Sequence, residues 1–320
     1  MTEPVRESQA RFFDANPPLY PWPHLLRRRG LRRLFKPREA FWAHAWERLA
    51  PQAGTQVLDL GCGTGIWLDR LARQFGIRGV GLDISKLSLS TAARQGVDGN
   101  SYVCADASHI PVRSATFGIV TSLDALEHVA DQDAFLQEIG RVLKPGGRVF
   151  LWSINRSQQF TWNWVLAKLG VDVFERVAHE PARLPDPVTV VDQLDAAGLS
   201  VESLDYFNAF FTLALDEAIM IVIEFMKRLG MFDEESSLRN NLGEAFLWAF
   251  HVATSLVWRF LNWMDGPWLK RGLSNGFLVL GMRVPIPAEI AGLKPSVGRA
   301  REPLTPLSLA AASPEFPGGS

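Results

Sequence analysis

Cysteine is scarce in this sequence: the 320 residues contain two, Cys62 and Cys104, far apart along the chain. That number and spacing exclude a disulfide framework and a clustered cysteine metal site, and they fit a reducing compartment. The sequence also lacks an apolar signal core near its start and any uninterrupted apolar run of about 18 residues. We therefore expect a cytoplasmic protein with neither a secretion signal nor a membrane-spanning helix.

Excess charge is also missing, because 33 basic residues balance 34 acidic ones and leave a formal net charge of −1. A nearly neutral chain has no global attraction for nucleic acid, so we expect no nucleic-acid partner. No group of residues has the spacing of metal ligands, and we expect no metal. The chain is nevertheless 47% hydrophobic, enough to bury a sizeable core. These properties favour one globular domain with additions.

The organising feature is an apolar strand that runs into closely spaced glycines. Residues 57–60 read Val-Leu-Asp-Leu, and residues 61–65 read Gly-Cys-Gly-Thr-Gly. This pattern predicts a buried parallel strand and then a turn at which the backbone can approach a ligand. The helical spacing of residues 66–71 places a helix N-terminus at the same point. A strand, a glycine turn and a helix form the first half of a nucleotide-type site.

Strands and helices alternate beyond this turn. Apolar runs predict strands at residues 57–60, 80–82, 102–104, 117–123, 148–152, 201–206 and 276–282. Repeated β-α units of this length predict an α/β fold with a doubly wound, mostly parallel, seven-stranded sheet. The expected divisions of the chain are an N-terminal helical cap at 1–50, an α/β core at 51–210, a helical insertion at 211–275, a last core strand at 276–284 and a Pro-rich flexible tail at 285–320.

Five motifs in the first half of the chain carry a family resemblance. They are VLDLGCGTG at 57–65, GLDIS at 81–85, CADA at 104–107, LDALEHV at 123–129 and LKPGG at 143–147. Their order and spacing resemble those of the class I S-adenosylmethionine-dependent methyltransferases, over roughly residues 50–210 and again in the last strand. A dinucleotide fingerprint G-x-G-x-x-G would need glycine in place of Ile66, which argues against a nicotinamide cofactor.

The resemblance implies S-adenosylmethionine as cofactor, held at the ends of the predicted strands. The implied cofactor-binding residues are Asp59, Gly61, Gly63, Gly65, Asp83, Ile84, Asp106, Ala107, Leu123 and Asp124. In this arrangement the glycines would pack against the methionine and ribose part, and Asp59 would help to hold the amino group. Asp83 would accept hydrogen bonds from the ribose hydroxyls, and Asp106 would accept one from the adenine amino group. A turn-capping role for Asp106 stays open from the residues alone.

Two histidines are the candidate catalytic residues. His128 follows the fourth predicted strand, where the related motif lies near the transferred methyl group, and either acts as a general base or orients the loop. His179 lies in the irregular stretch after the fifth strand, which often lines the acceptor site in this family. The alternative for His179 is a surface or capping histidine.

Two strongly apolar helices are predicted in the insertion, at 210–229 and 245–264. Each carries only a narrow polar stripe, so most of its surface must be covered. A lid, a homodimer interface and a peripheral membrane contact are three ways to cover it, and the basic run between Arg27 and Arg38 also suits a membrane surface. All three suit a hydrophobic small-molecule acceptor.

The sequence therefore predicts a methyltransferase that acts on a hydrophobic small molecule, at oxygen in the first place. One alternative is transfer to carbon or nitrogen of a membrane lipid or lipid-linked acceptor. Another is a non-catalytic module that binds S-adenosylmethionine, and the weakest is a dinucleotide oxidoreductase.

Overall fold

The computed structural model describes residues 11, 14, 48–170, 183–228 and 257–285. Within them, seven strands form one sheet in the order β3-β2-β1-β4-β5-β7-β6. The strands are β1 (Gln56–Leu60), β2 (Arg78–Asp83), β3 (Ser101–Cys104), β4 (Phe117–Leu123), β5 (Leu143–Ile154), β6 (Leu199–Phe207) and β7 (Gly276–Arg283).

Helices connect the strands, and several of them begin at residues whose side chains cap the first turn. They are α1 (Ile66–Phe75), α2 (Lys86–Gln95), α3 (Gln132–Val142), α4 (Trp162–Lys168), α5 (Pro187–Ala196), α6 (Phe211–Arg228) and the short α7 (Gly266–Leu269). Ser85, Asp131 and Asp186 accept hydrogen bonds from first-turn amides of α2, α3 and α5, as N-cap side chains do. Gly76 ends α1 in the left-handed conformation that glycine adopts most easily.

The strand directions confirm the expected doubly wound sheet. Strands β1 to β5 are parallel to one another, whereas β7 runs antiparallel to both β5 and β6. Chain order reverses direction between β1 and β4, and in such sheets ligands bind beyond the carboxyl ends of the strands at this point.

Alternate residues of β1 face the two layers of the core. Leu58 belongs to the larger cluster, together with Phe135 and Leu136 of α3. Val57 belongs to the other cluster, together with Leu68 and further side chains of α1. Because both faces of the sheet are covered, its central strands are apolar almost throughout.

The fifth strand differs from the sequence prediction at its start. The pattern predicts a turn at residues 145–147 and a strand from Arg148, but β5 begins at Leu143. Phe117 pairs with Leu143 and Ile119 with Arg148, so four residues bulge out of the ladder. Gly146 takes a φ of 76° there. The predicted turn is therefore a bulge within β5.

The insertion between β6 and β7 contains helix α6 and a second helical stretch at 257–264. Asp265 joins them: it is fully buried, and its carboxylate accepts hydrogen bonds from the backbone amides of Phe210, Phe211 and Thr212 and from the Thr212 hydroxyl. No helix in the described parts of the chain combines the length and apolar character that crossing a bilayer requires.

Candidate functional site

The glycine turn lies at the reversal point of the sheet. Gly61, Gly63 and Gly65 have φ values of 70°, 51° and 76°, a region that favours glycine. A Cβ added to Gly61 would lie 2.5 Å from the Ala125 Cβ, so the turn packs closely against the exit of β4. Helix α1 starts directly after Gly65 and presents its first amides to the same space.

Asp83, the last residue of β2, connects this turn to the next loop. Its Oδ2 accepts a hydrogen bond from the Gly63 amide at 2.8 Å, and its Oδ1 accepts one from the Ser85 amide at 2.8 Å. Burial raises the pKa of Asp83, and these amides act in the opposite direction. The Ile84 amide also hydrogen-bonds this carboxylate. A carboxylate has about four lone-pair positions, so these three amides leave acceptor capacity for a ligand hydroxyl, such as one of a vicinal diol.

Asp14 also reaches this loop, and no local sequence pattern predicts that contact. Its carboxylate accepts hydrogen bonds from the Ser85 hydroxyl at 2.5 Å and from the Leu87 amide at 3.2 Å. A residue from the first part of the chain therefore supports the N-terminus of α2. The rest of the expected N-terminal cap, apart from residues 11 and 48–50, lies outside the described residues.

Asp59 lies one strand inward, beneath the turn. It is 2% exposed and accepts a hydrogen bond from the Thr121 hydroxyl at 2.7 Å. Burial raises its pKa to about 7. The two residues are register partners on β1 and β4, so the pairing of these strands brings the Thr121 hydroxyl to Asp59. Contact of Asp59 with the cofactor amino group stays a prediction.

The exit of β3 lies beside that of β2. The Ala105 amide donates to the Asp83 carbonyl at 3.1 Å, so the strand ends stay together. Asp106 Oδ1 accepts from the Ser108 amide at 2.9 Å, the turn-capping contact that the sequence left open. One carboxylate can make this contact and bind an adenine amino group, because its second oxygen has further acceptor positions. Ile84 and Ala107 are partly exposed next to these carboxylates.

The exit of β4 brings Leu123, Asp124 and a single 3₁₀ turn, Leu126–His128, to the same edge. Asp124 takes a left-handed φ of 51°, and its amide donates to the Trp152 carbonyl at 3.1 Å. His128 is partly exposed in this turn. His179, the second candidate base, lies outside the described residues.

Glu127 is the buried member of the turn, at 1% exposed. Its Oε2 accepts a hydrogen bond from the Ser153 hydroxyl of β5 at 2.7 Å. Burial, and then the negative charge of Asp124, raises the pKa of Glu127 to about 8. The turn that carries His128 is therefore tied to β5 through a carboxyl group that readily holds a proton.

Three later segments emerge at this same edge. Because β7 is antiparallel, its first residue, Gly276, pairs with Ile154 and Phe207, the last residues of β5 and β6. The segments that follow β5 and β6 and precede β7 supply an aromatic cluster: Trp162, Phe210, Phe211 and Trp268. Neighbouring ring centroids in the cluster are 5.1–6.4 Å apart.

The residues at the strand ends fit S-adenosylmethionine. The glycine turn has no side chains at Gly61, Gly63 and Gly65 to keep a ligand away from the backbone. The Asp83 carboxylate can accept a hydrogen bond from a diol, and the Asp106 carboxylate can accept one from an amino group. The aromatic cluster supplies apolar surface for another molecule at the same edge of the sheet.

Comparison with known proteins agrees with this geometry. A methyltransferase domain model matches residues 58–151. The ubiquinone biosynthesis O-methyltransferase of Paracidovorax citrulli is 35% identical over 162 residues, which are 48% of this chain and 66% of that protein. The ubiquinone/menaquinone biosynthesis C-methyltransferase of Idiomarina loihiensis is 33% identical over 176 residues, 48% of this chain and 69% of that protein. The chain thus spans about two thirds of the length of the curated relatives it matches.

A solved structure shows the same fold over more of the chain. The geranyl diphosphate C-methyltransferase of Streptomyces coelicolor superposes with a TM-score of 0.54 at 15% identity, covering 88% of this chain and 99% of that one. Motif order, sheet topology and these relatives together show that the chain belongs to the class I S-adenosylmethionine-dependent methyltransferase family.

Proposed function

We propose that this protein methylates an apolar, ring-containing small molecule, at a hydroxyl oxygen in the first place. The observation that carries the proposal is the presence of two surfaces at the same edge of the sheet. The polar surface comprises the glycine turn and Asp83, and the apolar one is the aromatic cluster. Pockets of this composition hold apolar ligands and orient them with a few polar groups. The relatives named for ubiquinone biosynthesis support an acceptor of the quinone-precursor class.

Methyl transfer asks little covalent chemistry of the protein. The chemistry supplied here by bound S-adenosylmethionine is an electrophilic methyl carbon attached to a positively charged sulfur. The chain has to align an acceptor oxygen with that carbon, exclude water and take up the hydroxyl proton. In the proposal, Trp162, Phe210 and Trp268 contact the acceptor ring, and His128 accepts the proton.

The donor half of the proposal is tested through Asp83. Replacing it by Ala removes the proposed ribose acceptors and the contact with the Gly63 amide, so we expect S-adenosylhomocysteine affinity to fall at least tenfold, with charged hydrogen bonds contributing about 1.5–3 kcal/mol each. Isothermal titration calorimetry measures the loss. Asp98→Ala, which removes an exposed carboxylate in the loop before β3, is the matched control and should bind normally. Unchanged binding in Asp83→Ala would contradict the site.

The acceptor half is tested by methyl transfer from labelled S-adenosylmethionine to phenols and catechols with and without alkyl tails. We expect label in the organic phase, more with tailed acceptors, and a loss of at least tenfold in His128→Ala. Label confined to aqueous products would contradict an apolar acceptor. Transfer to carbon of a tailed acceptor would favour the lipid-linked alternative. Tight S-adenosylhomocysteine binding without transfer to any acceptor would favour a non-catalytic binding module.

A further inference from the structure

The helical stretch at 257–264 presents an apolar face to solvent. Val257, Phe260 and Trp263 follow at intervals of three and are 47%, 58% and 75% exposed. The rings of Phe260 and Trp263 stack with their centroids 5.9 Å apart. Exposed tryptophan and phenylalanine on one helix face are uncommon on a surface that remains in water.

The exposed charged side chains in this stretch of the chain have one sign. Within residues 257–271, all of them described, the exposed charged side chains are Arg259, Lys270 and Arg271. The one carboxylate in that stretch, Asp265, is fully buried against the amides at the start of α6. The exposed residues Val257, Arg259, Phe260, Trp263, Lys270 and Arg271, here called the 257–271 surface, therefore combine apolar side chains with cations and include no anion.

We propose that the 257–271 surface binds an anionic membrane. Aromatic side chains enter the boundary between headgroups and acyl chains, while arginine and lysine remain at the phosphate level. Anionic lipid attracts each such cation by about 1 kcal/mol near the surface. A complementary protein would need to supply carboxylates around an apolar patch, and the 257–271 surface cannot supply them in a second copy of this chain. Charge thus favours lipid over self-association.

The surface is also held in place before any lipid arrives. Asp265 ends the helical stretch and anchors it to the amides of α6, so Phe260 and Trp263 extend from a fixed scaffold. A preformed surface loses less conformational entropy on binding than a segment that folds at the membrane.

Vesicle flotation with the full chain tests this proposal without using methyl transfer. We expect flotation with vesicles of equal parts phosphatidylcholine and phosphatidylglycerol, and at least tenfold less with phosphatidylcholine alone. The double variant Phe260→Ser/Trp263→Ser should lose flotation at least tenfold. The triple variant Arg259→Gln/Lys270→Gln/Arg271→Gln should lose the preference for anionic vesicles. Val188→Ser, which removes an apolar side chain 63% exposed on α5, is the matched control and should float like the wild type.

Two further readouts separate the outcomes. S-adenosylhomocysteine titration of the double variant should match the wild type, which shows that loss of flotation is not loss of folding or of the donor site. Wild-type protein that stays at the bottom of the gradient overturns the proposal, and so does a double variant that still floats. A third outcome also overturns the proposal: light scattering shows that the wild type is a dimer that does not float with vesicles, and that the double variant is a monomer. That outcome would assign the surface to self-association.

Discussion

Glu127 is a carboxylic acid with almost no contact with water, one residue before the candidate base. Burial and the neighbouring negative charge of Asp124 raise the pKa of Glu127, and the hydrogen bond from Ser153 lowers it. A carboxyl group with a pKa near 8 holds its proton at neutral pH. The protonated form avoids placing a second negative charge beside Asp124.

This residue makes stability depend on pH in a definite direction. The pKa of Glu127 is about 8 in the folded chain against 4.5 for the free side chain, so the folded state binds more protons between these values. The free energy of unfolding should therefore fall as pH rises from about 5 to 8. Glu127→Gln keeps an acceptor for Ser153 and should reduce that slope by up to about 1.4 kcal/mol per pH unit.

Urea unfolding at several pH values measures the slope. Asp59, with its pKa raised to about 7, should leave part of the dependence in the Gln variant. Asp98→Asn, at an exposed position, should follow the wild-type profile. An unchanged slope in Glu127→Gln would contradict the protonated, buried state of this side chain.

Sequence patterns reach some of these residues and not others. The glycines and Asp83 stand at fixed distances from a recognisable strand, so their position in the site follows from local sequence. Thr121 and Ser153 act across the sheet on Asp59 and Glu127, which are 62 and 26 residues away along the chain. Register between strands decides such pairs, and no local pattern encodes it. Asp14 depends in the same way on how a distant segment docks.

At the scale of elements, helix α6 begins on a carboxylate supplied by another helix end. Asp265→Ala removes four hydrogen bonds donated by residues 210–212, whose amides are buried at Thr212 and partly buried at Phe210 and Phe211. We expect a loss of about 2–4 kcal/mol in the free energy of unfolding, from the missing cap and charged hydrogen bonds. Asp265→Asn keeps one carbonyl oxygen and should lose about half as much.

Denaturant unfolding measures both losses, and hydrogen exchange should locate the change at the first turn of α6. Asp192→Ala, at an exposed position of α5, is the control and should change stability by less than about 0.5 kcal/mol. Equal stability of Asp265→Ala and the wild type would mean that another group replaces the carboxylate.

Apolar periodicity predicts the fourth strand closely, because its predicted and observed bounds are both 117–123. The start of β5 was missed because Pro145 and two glycines are typical of a turn between elements. Pairing of Leu143 with Phe117 holds the bulged segment in the sheet, and that pairing is a tertiary effect. The insertion was expected as two apolar helices, but the cap that joins them crosses more than 50 residues and leaves no local signal.

At the scale of the whole molecule, the sheet joins strands at the glycine turn to strands that do not contact it. If the seven strands unfold together, a ligand at the turn stabilises all of them equally. At one hundred times its dissociation constant, S-adenosylhomocysteine should slow the exchange of β6 and β7 amides by about 100-fold, which corresponds to about 2.7 kcal/mol. Hydrogen exchange by mass spectrometry measures this. Slowing restricted to β1–β4 would reveal two independent cooperative units.

The position of β7 has a consequence for synthesis on the ribosome. Since β7 lies between β5 and β6, those two earlier strands have no common partner until residues 276–283 have emerged. The chain is made from its N-terminus, so the whole insertion leaves the ribosome while one side of β5 still presents unpaired backbone groups. β7 then completes the sheet by inserting between β5 and the edge strand β6, and any shortened chain that stops before Gly276 lacks this connection.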